Sequence, residues 1–281
     1  WRPPTYLWSE GRPTKREPWP ETLELSPNAR TVLDAGHVVQ WRWGVAAYLV
    51  TKGVAAGAAL LAPFSAALGL SGFGADYLPE VLALVFTTLT TILLVEDLHR
   101  PKLFLTILTR PNWRSWLVKG AWILIAFSGT TSATIAARWF GLDALADGVR
   151  WLSAVLALGV AGYTAFLFGQ CEGRDLWQSP LLLPHLIAQA VLCGAAALLP
   201  AAPASDALGW ILLAGAVAHL LFLLAEWKGD HKTENARQGA AFLGVVRLGG
   251  VPALPLAVAL NSVCAFALLE PARAFLFVPA V

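Results

Sequence analysis

Charge is what this chain has least of. Of its 281 residues, 57% are hydrophobic and only 14% are Asp, Glu, Lys or Arg, against about 25% in an ordinary soluble domain. The scarcity comes in blocks: long apolar runs alternate with short polar segments. Period-2 alternation is missing as well, which excludes the strands of a membrane barrel. There are three cysteines, Cys171, Cys193 and Cys264, with no CxxC or CxxxC spacing. That leaves no ligand set for an iron–sulfur cluster in this chain. A signal-peptide pattern is absent. The net charge of +2 gives no footing for nucleic acid. The chain opens at Trp1 without a Met, and residues 275–281 read like the start of one more helix, so both termini read as truncated.

What is present is a series of apolar runs of about 20 residues, the length that crosses a hydrocarbon core of about 30 Å. With no water there to satisfy the backbone, such runs must be helices. The expected fold is therefore an all-α integral membrane protein of about eight transmembrane helices in two four-helix bundles. The predicted spans are 41–68, 78–98, 115–140, 149–171, 181–199, 207–227 and one within 238–269. Gly249, Gly250, Pro252 and Pro255 are expected to bend the last of these. Residues 36–175 would form the first bundle and 176–281 the second. Residues 1–35 are polar and Pro-rich, an extended arm whose Trp1, Tyr6, Trp8 and Trp19 suit contact with a partner subunit. One side of the membrane collects fourteen Lys and Arg residues between Arg2 and Arg237, and the other has Arg138, Arg150 and Arg273. The positive-inside rule then places the arm in the cytoplasm of a bacterial or archaeal cell.

The segment EDLHRPKLFLTILTRPNWRSWLVKGAW at 96–122 joins a helix-end acid to an Arg-Pro, an aromatic loop, then Ser-Trp and Gly-Ala-Trp. With GYTAFLFGQCEGRDLWQSPLLLP at 162–184 and LVTKGVAAGAALL at 49–61, it resembles the NrfD/polysulfide reductase family of membrane subunits over about residues 36–270. The resemblance implies a quinone site (menaquinone or ubiquinone) among the first four helices, and no haem. It also implies a ferredoxin-like iron–sulfur partner that relays electrons to or from a catalytic subunit, often a molybdopterin enzyme. This chain would be the membrane anchor that meets the quinone, not the catalytic core.

Ionisable residues within spans are costly and are candidates for function. Lys52 lies deep in the first span, one turn past Tyr48, either serving quinone and protons or pairing with an acid. Glu96 and Arg100 sit one turn apart at the end of the second span and match the family motif. Their alternative is a surface i,i+4 pair. Tyr163 matches a helical tyrosine that meets quinone in relatives, while Tyr48 stands where some relatives have His. Lys119 either snorkels to the interface or joins the site. The expected roles are proton exchange for Lys52 and Glu96, with Tyr48, Arg100, Tyr163 and Lys119 binding quinone. Gly53 and Gly57 form a GxxxG, read as close helix packing, and the span-end tryptophans read as an interfacial belt. His37, His99 and His231 fall in loops or helix ends, His185 near the start of a span and His219 in mid-span, so no axial pair for a haem b stands out. His219 and Glu226, two turns apart, suggest a polar path in the second bundle. The rival readings are a haem-b cytochrome subunit and a secondary transporter, the latter opposed by the absence of any repeat between the halves.

Overall fold

The computed structural model describes residues 43–96, 104–171 and 175–231, with 236–237, 240–241, 247–248 and 251–252 beyond them. The chain divides into two units, Trp1–Gln40 and Trp41–Val281. The first contains the expected arm and lies outside the described residues.

Among the described residues eight α-helices follow one another: α1 Trp43–Leu61, α2 Phe73–Asp76, α3 Leu78–Glu96, α4 Phe104–Thr109, α5 Trp116–Trp139, α6 Asp143–Gly169, α7 Leu182–Leu198 and α8 Asp206–Lys228. Six of these (all but α2 and α4) are long and apolar enough to cross a membrane. We call the side where α1 begins and α3 ends the near face, and the other the far face. The ends have local causes. Pro63 follows the last turn of α1 and tightens it into a 3-10 turn over Ala62–Phe64. The α5–α6 corner passes through Gly141 at φ 72°, a left-handed residue just past a helix end that glycine adopts without a Cβ clash. α8 begins at Ser205, whose hydroxyl accepts a hydrogen bond from Leu208 N at 3.1 Å. The acidic Asp206 in its first turn suits the positive end of the helix dipole. The start of α5 is capped from a distance, because Gln170 Oε1 accepts from Trp116 N at 2.8 Å while Gln170 Nε2 donates to Arg114 O at 3.0 Å.

α1, α3, α5 and α6 close a ring in which each helix touches the next, and α7 lies along α1 with α8 outside it. In keeping with that order, 61% of the α1 span is buried against 22% of the α8 span. The α1–α7 contact is made by glycines. A Cβ on Gly57 would land on the backbone of Ala190 and Gly194, and one on Gly194 would land on the backbone of Gly57. The GxxxG of the sequence is thus a helix-crossing point, and its partner glycine is on α7. Inside the ring the core is built of small residues around Phe127, including Ala56, Ala59, Ala83 and Ala157. On α3 the opposite face shows Val81, Val85, Leu89 and Ile92, a stripe at helical spacing suited to lipid.

Two expectations are corrected. The fourth span begins at Asp143 and not near 149, so Asp143 and Asp147 are residues of the helix and not of the loop before it. In the region expected to hold a seventh span, Arg247–Leu248 and Val251–Pro252 pair as antiparallel strands, Arg247 opposite Pro252 and Leu248 opposite Val251. Those four residues are not helical. The residues expected to form an eighth helix lie outside those described.

Candidate functional site

Lys52 is the middle residue of α1, nine positions from either end. At about 1.5 Å per residue its side chain has no reach to either interface. It is buried, and its Nζ donates to Ala161 O at 3.1 Å and to Thr164 Oγ1 at 2.5 Å, both on α6. Two aromatic faces complete its surroundings, Tyr163 at 5.1 Å and Tyr48 at 5.9 Å from Nζ to ring centroid. An amine removed from water needs compensation of this kind, since an isolated buried charge is strongly disfavoured. Beside it, Thr90 Oγ1 donates to Thr51 Oγ1 at 2.8 Å and links α3 to α1. Three of the predicted residues, Tyr48, Lys52 and Tyr163, therefore form one cluster between α1 and α6.

Tyr163 is the wall between that cluster and a cavity of about 240 Å³. Leu94, Ile107, Leu117, Leu124 and Ile125 line it from α3, α4 and α5, and Thr91, Ser128 and Tyr163 supply its polar groups. The Tyr163 ring fits because residue 120 is glycine: a Cβ there would fall on the ring itself. Its hydroxyl is buried and meets no hydrogen-bond geometry with a partner among the described residues. A buried phenol normally finds one. Here Tyr163 stands at the wall of an apolar cavity, a surface that suits a flat ring.

The other predicted residues lie elsewhere. Glu96 is exposed at the near end of α3 and lines a separate groove of about 380 Å³, which shares Thr91 and Ser128 with the cavity. Lys52 takes its hydrogen bonds from α6, so it is not paired with Glu96. Lys119 rests over the Trp116 ring at 4.3 Å and is absent from the cavity lining. Arg100 lies outside the described residues.

Two arrangements escaped the sequence reading. Glu80 and Arg150, both buried, join α3 to α6 near the far face, with Arg150 Nε donating to Glu80 Oε1 at 2.6 Å and Arg150 Nη2 to Asp76 O at 2.8 Å. Applying to Glu80 the test that marked Lys52, an acid within an apolar run, would have found it. Above this pair Arg138 meets Asp147 at 2.5 Å, Asp143 at 3.4 Å and Asp76 at 3.5 Å. The second arrangement is a histidine pair: His185 on α7 and His219 on α8 meet at 2.8 Å between Nε2 and Nδ1. This overturns the expectation that no two histidines share a depth, and the two rings are bonded directly to each other. Glu226 accepts from the Ser179 hydroxyl, and its backbone oxygen is bonded by His231 Nε2 at 2.8 Å. His219 and Glu226 thus have separate partners. Among the tryptophans of the expected belt, Trp113, Trp139 and Trp151 are exposed, and Trp177 stacks on Phe168 at 4.6 Å.

Among protein families, the model described as polysulphide reductase, NrfD, matches residues 31–278 of the chain. No curated protein matches it.

Proposed function

The chain belongs to the NrfD polysulphide reductase family, and from that membership we propose that it is the quinone-reacting membrane subunit of an oxidoreductase complex. The single observation that carries the reading is Tyr163, a buried phenol unpaired among the described residues, in the wall of an apolar cavity. A quinone ring in that space would lie against Leu94, Leu117 and Leu124 and accept the Tyr163 hydrogen bond at one carbonyl. Lys52, behind the Tyr163 ring, would hold that ring in place through Ala161 and Thr164 and polarise it by its face. The volume of about 240 Å³ is just under the range of about 300–1,000 Å³ usual for whole ligands. It suits a head group, with an isoprenoid tail left in the lipid.

The electron partner is a ferredoxin-like iron–sulfur subunit, which connects the quinone pool to a separate catalytic subunit of molybdopterin type. That partner docks on the near face, where Arg110 and Arg114 precede α5. On the far side, Arg138 and Arg150 are already neutralised by acids. The basic imbalance therefore favours a cytoplasmic near face, in the inner membrane of a bacterium or archaeon.

Tyr163→Phe tests the reading. It keeps the ring and removes a hydroxyl that has no partner to lose, so assembly and melting temperature should be unchanged. The quinone hydrogen bond is worth about 1 kcal/mol, so binding of a soluble quinone analogue by the complex should weaken about fivefold to tenfold. Unchanged quinone binding and turnover would place the site elsewhere.

A further inference from the structure

Of the four seams that close the ring, the one between α3 and α5 is the sparsest. The Tyr163 cavity lies on that seam, and it has a direction. Leu117, Ala121, Leu124 and Ser128 carry its wall along α5, a length of about 16 Å at 1.5 Å per residue. Tyr163 stands toward the near-face end, level with Gly120, where Ile107 of α4 joins the lining. At the deep end the lining is Thr91 of α3 and Ser128 of α5, and these two residues also line the groove of about 380 Å³. The two hollows therefore adjoin, and the side chains at the join are small.

The groove faces outward. Thr88 and Ile92 on its α3 bank are exposed, beside Val85 and Leu89 of the stripe suited to lipid. Thr88 and Thr91 ask nothing of a ligand, because Thr88 Oγ1 donates to Leu84 O and Thr91 Oγ1 to Thr87 O, both at 2.9 Å. Among the lining residues the charged one is Glu96, at the near end. A hydrocarbon in the groove would thus run from the join toward Thr88 and Ile92, deeper into the membrane and away from the carboxylate. The cavity alone is under the range of about 300–1,000 Å³ usual for whole ligands, and with the groove the space enters it.

We propose that this groove seats the first isoprene units of a quinone tail, which makes the substrate a prenylated quinone drawn from the lipid. It rests on the quinone reading of the cavity. A membrane quinone is a flat ring joined to a polyprenyl chain, and its site needs a pocket for the ring and an apolar exit for the chain. With the ring against Tyr163, the chain descends to Thr91 and Ser128, turns outward between α3 and α5, and meets the lipid at Ile92. A ring whose chain is pinned in this way presents the same carbonyl to Tyr163 on every visit. The groove therefore sets the orientation of the ring as well as the class of quinone.

The test uses the purified complex with its iron–sulfur partner. KM and kcat are read with a naphthoquinone that carries a short isoprenoid tail and with the same ring lacking the tail. Thr88→Trp and Ile92→Trp each fill the groove from an exposed position that does not line the cavity. Each should raise KM for the tailed quinone about tenfold, the scale of overpacking in a fitted site, and leave the tailless ring at wild-type KM and kcat. Leu89→Trp, exposed on the same helix and outside the groove lining, should change neither. A diazirine on the first isoprene unit should label residues 87–96. Wild-type KM for the tailed quinone in both groove variants, an equal rise for both quinones, or label confined to other helices would overturn the tail seat alone. A wild-type complex that turns over neither quinone would overturn the quinone reading and the tail seat with it.

Discussion

Lys52→Met separates two roles that a buried lysine can have, a pin between helices or a part of the quinone site. Methionine keeps the length of the stem and loses the donors. The lysine makes two hydrogen bonds to α6, and losing two ordinary bonds costs about 1–3 kcal/mol. Against this, the amine no longer has to be held out of water, a penalty of several kcal/mol for an ion. Ala161 O also keeps its place in the backbone ladder of α6. The two terms offset, so the complex should assemble and melt within a few degrees of wild type. The Tyr163 face, in contrast, loses the amine 5.1 Å from its centroid, an interaction worth about 0.5–2 kcal/mol. Quinone affinity should fall about threefold to thirtyfold. The assays are equilibrium binding of a quinone analogue and thermal melting of the purified complex. A complex that falls apart would show that Lys52 is a pin; intact assembly with wild-type binding and turnover would remove it from the site.

Three other outcomes follow from the same geometry. Gly57→Leu sets a side chain into the backbone of α7 and should prevent assembly, read as loss of the complex in a membrane pull-down. Glu80→Leu strands Arg150 in the interior and should destabilise by about 3–5 kcal/mol, whereas Glu80→Leu with Arg150→Met should recover most of the melting temperature. Glu96→Gln, at an exposed residue bordering the neighbouring groove, should leave stability unchanged and lower quinone turnover; wild-type turnover would exclude Glu96 from proton exchange.

The spans were legible because apolar length is a one-dimensional property. Leu78–Glu96, Trp116–Trp139, Leu182–Leu198 and Asp206–Lys228 begin or end within a few residues of the expected limits. The fourth span was misplaced for a reason that recurs. Asp143 and Asp147 read as a loop when counted as charges, yet the far-side end of α6 carries them because Arg138 neutralises them. Partner choice is tertiary, and no local pattern reports it. The histidine pair failed on a matter of origin. His185 is thirteen residues before Leu198 and His219 thirteen after Asp206, so the two are level when counted from the short far-side connection. Counted from the near face, where α8 runs well past the start of α7, they seem mismatched. For the site, the resemblance brought out Tyr48 and Tyr163 and the cost of a charge inside a span brought out Lys52, and the three do meet. Their grouping with Glu96 had rested on adjacency of helices, and adjacency does not say which faces turn toward each other.

The contact between Gly57 and Gly194 bears on how loss-of-function data for this protein should be weighed. Neither residue has a side chain to offer a substrate, yet at each of them even a single methyl group meets backbone. A saturation scan scored by growth would rank these two glycines beside Tyr163, and Gly120 with them. Substitution profiles would tell them apart. At positions 57, 120 and 194 tolerance should track side-chain volume alone, so that alanine already fails. At 163 it should track chemistry, so that a residue as large as phenylalanine folds and still falls short.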